Sequence, residues 1–378
     1  MKISKKQYAE NGHTGLQNLG NTCFLNSCTQ ALVHTYEIHE LLNRQNVNDL
    51  LKNADANPKK AFDAHIFKEW KELTETMWSG NGAVRPIKFV SAIQQVAHKK
   101  GVDIFTGWAQ NDVTEFLRFV VNCFHASIAR GVKVKITGKP ETATDQLAVK
   151  CYEMLNDNYK KDYSEIQDLF YGILVSDISN VETGKSQSLK PEQYFILDLP
   201  IPETSEGCTN SEGCTTSSDG TNSDSVGGSS NRVTSLYDCM TEFCKKELLT
   251  GDNQWFNETT SAKEDVNKQI RFWNFPKVLV ITLKRFNAKG RKTEKFVDFP
   301  LTDFDLSKYV EDYLPKKYVY DLYAICNHMG STDGGHYTAF VKNCMGKWLH
   351  CNDDSVSIIA NAQQLITPMA YCLFYRMK

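Results

Sequence analysis

The spacing of apolar residues changes along this chain, and that change limits the possible folds more than any other feature of the sequence. In about the first 160 residues, apolar positions recur three to four apart, as in 24–33 and 112–121, which is typical of amphipathic helices. In about the last 110 residues, β-rich runs such as 277–283, 336–341 and 371–375 alternate with Gly, Asp and Asn turns. The sequence therefore predicts a helical lobe facing a mainly antiparallel sheet, with a substrate cleft between them.

Between these parts lies a segment of different composition. From about Pro202 to Val233 the residues are almost all Ser, Thr, Gly, Asn and Asp. Such a segment cannot bury enough apolar area to offset the entropy lost on ordering. The sequence predicts a disordered surface insertion at about 203–233, with Cys208 and Cys214 exposed. A metal or redox pair is the less favoured alternative for these cysteines, because their spacing preorganises nothing.

Charge and composition exclude several classes of function. With 43 basic and 45 acidic side chains the formal net charge is −2, so we expect no nucleic-acid or membrane-surface partner. No apolar stretch follows the basic start of the chain, and no apolar run reaches membrane-spanning length. We therefore expect an intracellular protein, cytoplasmic or nuclear and not secreted. The 12 cysteines are scattered in a chain too long to need a disulfide framework, so most are predicted to be reduced.

The first candidate catalytic element surrounds Cys23. Residues 15–27 form a Gly- and Asn-rich loop that leads into an amphipathic helix, and Cys23 falls in the first turn. The N–H groups and dipole at a helix start favour the thiolate, which is the nucleophilic form of cysteine. Asn21 or Thr22 is expected to cap this helix. Taken alone, the pattern is more often a capped helix with a buried structural cysteine.

Two later segments carry the residue types that a nucleophilic cysteine needs. His336 follows Gly334 and Gly335 at the start of a strand pattern, and a backbone without Cβ atoms lets a narrow substrate approach closely. Asn352 and Asp353 interrupt a later strand pattern, where a side-chain oxygen can hold the imidazole in its working tautomer. Each segment alone is usually structural, but together with a helix-start cysteine they predict a cysteine nucleophile with a histidine base.

These segments resemble the boxes of one enzyme family, the ubiquitin-specific proteases. Residues 15–30 resemble the cysteine box of the family, and 323–337 with 348–356 resemble its histidine box. Residues 110–117 are similar to the Gln-Gln-Asp-Ala-x-Glu-Phe-Leu helix of the family. Two further matches fall in order between the boxes, at 193–202 and 276–286.

The resemblance implies a papain-like α+β fold shaped as a right hand. After a short N-terminal extension, residues 1–13, the catalytic domain would span 14–377. Its helical thumb would occupy about 14–160, and its β fingers and antiparallel β palm about 161–377.

The same resemblance implies a thiol-dependent deubiquitinase, whose macromolecular partners are ubiquitin and ubiquitinated proteins. Such an enzyme hydrolyses the isopeptide or peptide bond after the C-terminal glycine of ubiquitin. At the matching positions of this sequence, the resemblance implies that Cys23 attacks the carbonyl carbon. His336 would take the thiol proton and later protonate the leaving amine, and Asn18 would donate to the oxyanion.

Four further residues are implied to bind the substrate. Asp112 matches the position that pairs with an arginine of the ubiquitin tail, although the N-terminal charge of a helix is the alternative interpretation. Gly334 and Gly335 would line a channel that admits only a Gly-Gly terminus. Tyr337 would pack in that channel, or would belong to the core.

The sequence departs from the family at the third position of the triad. Many members have Asp there, whereas this chain has Asn352 followed by Asp353. A neutral amide can still orient the imidazole, with less support for the imidazolium. We rank Asn352 first for orientation, and Asp353 would supply the missing charge.

The second departure concerns metal. Many members hold a zinc ion in the fingers with two Cys-x-x-Cys pairs, which would fall here near 178–181 and 255–259. Neither segment contains a cysteine, so we expect no zinc and no cofactor, and fingers held by packing alone.

Two other functions stay open at this point. One is a catalytically silent ubiquitin-binding module, which the joint presence of nucleophile, base and orienter disfavours. The other is a protease for another ubiquitin-like modifier with a Gly-Gly tail, which the acidic Asp112 position disfavours because it suits a tail that carries arginine.

Overall fold

Helices dominate the N-terminal part of the protein in the computed structural model, which describes residues 12–203, 233–313, 318–332 and 334–378. The helices of this part are α1 (Cys23–Val33), α2 (Tyr36–Leu42), α3 (Gln45–Asn53), α4 (Ala61–Trp78), α5 (Ile87–Lys100), α6 (Val113–Ile128), α7 (Ala143–Tyr159) and α8 (Glu165–Phe170). A short parallel pair, β1 (Thr14–Leu16) and β2 (Gly82–Val84), lies among them. The helical part thus extends about ten residues past the expected boundary near 160, to Phe170.

Apolar periodicity decides which face of each thumb helix is buried. In α6, Phe116, Val120 and Phe124 recur one turn apart and are fully buried. The Phe124 ring stacks on Phe67 of α4, with centroids 4.2 Å apart. Asp112 caps α6 by accepting from the backbone N–H groups of its first turn. The predicted amphipathic helix is therefore present, and it forms the centre of the thumb.

The palm is one large sheet in the C-terminal part of the chain. Its strands are β5 (Ile196–Pro200), β11 (Val278–Lys284), β13 (Phe304–Asp305), β14 (Val319–Ser331), β15 (Gly334–Lys342), β16 (Trp348–Asn352), β17 (Ser355–Ile359) and β18 (Ala370–Met377). They run in the order β17-β16-β15-β14-β18-β11-β5, with β13 beside β14. Pairing is antiparallel as predicted, except between β5 and β11, which are parallel.

Both faces of the palm are covered. On β11, Val278 and Val280 belong to the core shared with the thumb, whereas Leu279 and Ile281 belong to a second core behind the palm. Burial on both faces explains the continuous apolar run of this strand. Helix α1 packs against β14, β15 and β16. This packing brings the N-terminal end of α1 to the start of β15, the strand that carries His336.

The fingers extend from the palm as a second sheet. Its strands are β3 (Gly172–Asn180), β4 (Ser186–Tyr194), β7 (Glu247–Leu249) and β10 (Val266–Asn274), with the hairpin β8 (Trp255–Asn257) and β9 (Ala262–Glu264) nearby. Helix α9 (Leu236–Phe243) follows the pair formed by β6 (Thr234–Ser235) and β12 (Val297–Asp298).

Polar side chains, not packing alone, connect the finger strands, so that expectation was wrong. The Glu264 carboxylate accepts from Asn257 (3.0 Å), from Thr260 (2.6 Å) and from Gln187 of β4 (3.3 Å). The Asn180 side chain accepts from the turn after β3. Amides, hydroxyls and a single carboxylate at these positions are not a zinc ligand set, and the described residues contain no group of three or more His, Cys, Asp or Glu that fits a metal ion.

Three sequence predictions concern regions or properties outside this architecture. The predicted disordered insertion coincides with residues 204–232, which lie outside the described residues, as do Cys208 and Cys214. The ten cysteines of the described ranges are all free thiols. Within those ranges no helix combines the length and the apolarity needed to cross a membrane.

Candidate active site

Cys23 is the first residue of α1 and is almost fully buried. The backbone N–H of Tyr337, which belongs to the peptide bond between His336 and Tyr337, is close enough to the thiol to lower its pKa. Burial raises the pKa of the Cys23 thiol, and Asp353 raises it further, although backbone N–H groups act in the opposite direction. The first N–H groups of α1, those of Cys23 and Phe24, lower the pKa as expected, but burial outweighs them. The nucleophile therefore needs a base.

Neither predicted residue caps α1 with its side chain. Thr22 occupies the N-cap position without a side-chain bond to the first turn. Its hydroxyl accepts from Leu19 N–H (2.9 Å) and donates to Asn18 Oδ1 (3.2 Å). Asn21 is left-handed, with φ 55°, and donates to the carbonyl of Trp108 (2.9 Å). These side chains hold the loop before Cys23 and do not cap the first turn of the helix.

His336 lies near the start of β15 and is oriented by Asn352 at the end of β16. The distance from His336 Nε2 to Asn352 Oδ1 is 2.7 Å. Because a carboxamide oxygen only accepts, Nε2 carries the proton in the neutral ring. Nδ1 then has the free lone pair, which is the form a general base requires.

Asp353 makes different contacts from its neighbour Asn352. It lies in the tight turn between β16 and β17, with φ 49°. Its carboxylate accepts from Asn18 Nδ2 (3.0 Å) and from Asn26 Nδ2 (2.8 Å). Asn352 thus contacts the imidazole, whereas its neighbour Asp353 contacts the loop and the helix that carry the thiol.

Asn18 is fixed at both ends of its amide. Its Oδ1 accepts from the backbone N–H groups of Gly20 (3.0 Å) and Thr22 (3.1 Å), while Nδ2 donates to Asp353. An amide nitrogen has two hydrogens, so a second hydrogen bond can be donated to a substrate oxygen. A donor that is held before the reaction is the arrangement that stabilises an oxyanion.

Asp112 is held by the helix it caps and by two tyrosines. Its Oδ1 accepts from the backbone N–H groups of Thr114 (2.7 Å) and Glu115 (3.2 Å). Its Oδ2 accepts from the hydroxyl of Tyr371 (2.7 Å) and, at 3.5 Å, from that of Tyr337. The helix-start interpretation of Asp112 therefore describes a real contact, and the same contacts orient a half-buried carboxylate near the cleft.

The two glycines before His336 have close neighbours. A Cβ on Gly335 would stand 2.3 Å from the Met329 carbonyl oxygen and 2.5 Å from His328 Nε2. A Cβ on Gly334 would stand 3.0 Å from Gln110 Oε1. Glycine is thus required by the hairpin itself. The His328 ring packs against Tyr337 at 4.6 Å, and burial lowers its pKa to about 4, so it is neutral near pH 7.

Three residues that contact these groups received no role from the sequence. Gln110 accepts from the backbone N–H of Gly335 (2.7 Å), Asn26 binds Asp353, and Tyr371 binds Asp112. Gln110 and Asn26 both lie within the matched motifs, and a polar residue on the buried face of an amphipathic helix was the available signal for Asn26. No local pattern singles out Tyr371.

Comparisons with known proteins place nearly the whole chain in one family. The family model described as ubiquitin carboxyl-terminal hydrolase matches residues 14–375. Ubiquitin carboxyl-terminal hydrolase 2 of Bos taurus is 32% identical over 378 residues, covering 97% of this chain and 55% of that protein. Ubiquitin carboxyl-terminal hydrolase 21 of Rattus norvegicus is 28% identical over 389 residues, covering 97% of this chain and 62% of that protein. The chain thus spans a little over half the length of these relatives.

Solved structures share the fold. The SAGA DUB module with Ubp8, bound to monoubiquitin, has a chain that superposes with a TM-score of 0.65 at 24% identity, covering 98% of this chain and 70% of that one. The same module bound to ubiquitin aldehyde gives a TM-score of 0.64 at 23% identity, with the same coverage. The predicted papain-like α+β fold with thumb, palm and fingers is confirmed. By its family match over nearly all of its length, this chain belongs to the ubiquitin carboxyl-terminal hydrolase family.

Proposed function

We propose that this chain is a thiol-dependent deubiquitinase that hydrolyses the isopeptide or peptide bond after the C-terminal glycine of ubiquitin. One observation carries the proposal: the buried Cys23 begins the helix that packs against β15, and His336 of β15 is oriented by Asn352 at 2.7 Å. The proposed nucleophile, base and orienter come from three separate elements, α1, β15 and β16, which pack against one another. A silent binding module has no need of this arrangement.

The relatives support the same substrate class. The curated relatives carry the name ubiquitin carboxyl-terminal hydrolase, and two of the structural neighbours were solved with monoubiquitin or ubiquitin aldehyde. Ubiquitin and its conjugates are accordingly the partners we propose for this chain.

In the first half of the reaction the thiol is acylated. His336 Nδ1 takes the Cys23 proton while Sγ bonds to the carbonyl carbon of the terminal glycine. The carbonyl electron pair moves to oxygen, where the second Nδ2 hydrogen of Asn18 stabilises the charge. When the tetrahedral intermediate collapses, the C–N bond breaks and the imidazolium protonates the leaving amine. A thioester on Cys23 remains.

In the second half water replaces the thiol. His336 again acts as base, taking a proton from water as its oxygen attacks the thioester carbon. The C–S bond then breaks, the thiol recovers its proton from the imidazolium, and ubiquitin leaves with a free carboxyl group that loses its proton to solvent. Asn352 keeps the ring oriented throughout, because Nε2–H stays bonded to its Oδ1.

Two features of the cleft suit the tail of ubiquitin. The Asp112 carboxylate, oriented by Tyr371, offers an acceptor to an arginine of the tail. Gly334 and Gly335 leave no side chain on their stretch of the cleft wall, which suits a narrow Gly-Gly terminus. Together these features favour a Gly-Gly tail that carries arginine.

A ubiquitin with a thiol-reactive group at its C-terminus tests the proposal directly. We expect a covalent adduct with the wild-type protein and none with Cys23→Ala. Cys28→Ala provides the matched control, since Cys28 is a fully buried thiol in the same helix. Cys23→Ala should also abolish turnover of ubiquitin conjugates while it retains affinity for ubiquitin.

Other outcomes would contradict the proposal. The absence of an adduct with soluble, folded protein would indicate a ubiquitin-binding module. An adduct formed only with a probe built on another Gly-Gly modifier would replace ubiquitin as the substrate. Turnover that survives Cys23→Ala would exclude the mechanism.

A further inference from the structure

Two carboxamide side chains, Asn21 and Gln110, form a line of hydrogen bonds across the cleft beside the candidate active site. Asn21 Nδ2 donates to the carbonyl of Trp108 (2.9 Å), and Asn21 Oδ1 accepts from Gln110 Nε2 (3.4 Å). Gln110 Oε1 in turn accepts from the backbone N–H of Gly335 (2.7 Å). The line runs from the loop before α1, through the loop before α6, to the start of β15.

The two ends of this line lie next to the reacting groups. Asn21 precedes Cys23 by two residues, and Gly335 directly precedes His336. Gln110 is bonded to both Asn21 and Gly335, so a single side chain connects the thumb loop of the nucleophile to the palm strand of the base.

The backbone at each end is adapted to these contacts. Asn21 has φ 55°, a left-handed conformation that is unfavourable for a non-glycine residue. The contacts of its side chain offset that cost. At the other end Gln110 Oε1 would stand only 3.0 Å from a Cβ on residue 334, so glycine at this position lets the amide reach the hairpin.

We propose that Gln110 is a positioning residue that fixes the separation between Cys23 and His336 by holding Asn21 and Gly335 together. This role rests on the proposed hydrolase function. Because the hydrogen bonds of Gln110 go to Asn21 and Gly335, Gln110 acts through the loop and the strand rather than on the substrate. A misplacement of reacting groups by 1 Å can cost about 100-fold in rate, so loss of one bridge is expected to cost roughly tenfold.

Two substitutions break the bridge at different places. Gln110→Met keeps the length of the side chain and removes both hydrogen bonds. Asn21→Gly removes the thumb end of the bridge together with the hydrogen bond to the Trp108 carbonyl, and it leaves the bond from Gly335 to Gln110 in place. Glycine tolerates the left-handed backbone at that position. Gln94→Met is the matched control, since the exposed Gln94 amide donates to the carbonyl of Gly107 in the same loop as Gln110 without crossing the cleft.

Three measurements distinguish positioning from a general structural role. We expect Gln110→Met to lower kcat roughly tenfold on ubiquitin with a fluorogenic C-terminal amide, with little change in KM. The pH profile of iodoacetamide alkylation of Cys23 should move to higher pH, because a displaced imidazole supports the thiolate less well. The melting temperature and the Gln94→Met profile should stay as in the wild type.

The double variant tests whether one bridge is involved. Since Asn21→Gly and Gln110→Met interrupt the same line, their effects on kcat should be far less than multiplicative. If Gln110→Met does not fold, the kcat and alkylation profile of Asn21→Gly decide in its place.

Two results would overturn the role of Gln110. One is a folded variant with wild-type kcat and alkylation profile. The other is a rise in KM alone, which would indicate direct contact with the substrate. If the wild type cleaves no ubiquitin substrate, the proposed function fails, but the alkylation profiles need no substrate and still test the bridge.

Discussion

At the residue scale, adjacent side chains divide the work of the site. Asn352 contacts His336, whereas Asp353 contacts Asn18 and Asn26. In a triad with aspartate, the carboxylate would contact the imidazole. Here the Asp353 carboxylate instead contacts the amide of Asn18, the proposed oxyanion donor. We therefore predict that Asp353 acts together with Asn18, and Asn352 together with His336.

A double-mutant cycle tests this division. Loss of one oxyanion donor typically costs about 100-fold or more in kcat, so Asn18→Ala should lower kcat by about that factor. Adding Asp353→Ala should lower kcat little further, because Asp353 acts through the side chain already removed. Adding Asn352→Ala to Asn18→Ala should instead multiply the two losses.

The result that would contradict the division is the reverse pattern. If Asp353→Ala multiplies the loss caused by Asn18→Ala while Asn352→Ala does not, then Asp353 supports the imidazole. Thermal melts of every variant are needed beside kcat, since Asp353→Ala also removes the hydrogen bond to Asn26.

Some of these residues could be predicted from sequence and others could not. Cys23, His336 and Asn352 stand in local motifs whose residue types suggest their chemistry. The link between Asn18 and Asp353 joins positions 335 residues apart, and no local pattern contains it. The caps predicted for α1 were wrong because Asn21 and Thr22 are used by tertiary contacts that override local preference.

At the element scale, two buried histidines couple the thumb to pH. His34 Nδ1 lies 2.8 Å from the Gln30 carbonyl, and His39 Nε2 lies 2.9 Å from the Val33 carbonyl. Burial lowers the pKa of each imidazole to about 4, against 6.5 for an exposed ring. Between these values the unfolded chain binds protons that the folded chain does not. The free energy of unfolding therefore rises with pH across this interval and is lost as the pH falls.

The His39→Gln substitution measures this coupling. Glutamine retains a donor for the Val33 carbonyl but takes up no proton. Between pH 5 and 6, the slope of the unfolding free energy against pH should be smaller than in the wild type by about 1 kcal/mol per pH unit. Urea denaturation at several pH values gives this slope.

The control uses a surface histidine of α4. His65→Gln should leave the slope at its wild-type value, since the His65 side chain is 45% exposed. An unchanged slope in His39→Gln, with the slope still unchanged in His65→Gln, would mean that His39 does not contribute to acid destabilisation.

The helices and strands were easier to predict than the contacts that connect them. Helix and strand follow from apolar spacing, which is local, and α6 and β11 lie where that spacing predicts. The bond from Gln187 of β4 to Glu264 of β9, at 3.3 Å, joins polar residues that lie 77 positions apart in sequence. The absence of the two Cys-x-x-Cys pairs therefore did not indicate which contacts connect the finger strands.

At the scale of the whole molecule, the cleft depends on two lobes that the sequence could predict and on a fit between them that it could not. Helix α1 packs on β14, β15 and β16, and this docking brings the thiol close to the Tyr337 N–H. Family resemblance supplied the expectation that the boxes converge. The actual spacing depends on contacts such as that of Gln110 with Gly335.

The chain on either side of residues 204–232 returns to the same segment, residues 295–298. On one side, the carbonyl of Pro202 accepts from Lys295 Nζ (2.6 Å). On the other, Thr234 of β6 pairs with Val297 of β12, and Ser235 begins α9 with a capping box. Because both ends are anchored on 295–298, the fold does not require a long connection between them.

Deleting residues 206–230 should therefore leave kcat/KM within about twofold of the wild type and should not lower the melting temperature. A shorter connection loses less entropy on closure, which stabilises the fold by at most about 2 kcal/mol. Replacing 206–230 with Gly and Ser of equal length separates length from composition. If the deletion abolishes turnover while the melt is unchanged and the replacement stays active, chain length is what the site needs. If both variants lose turnover, the residues of this segment themselves take part in the reaction or in substrate binding, and the anchors at Lys295 and Val297 are not sufficient.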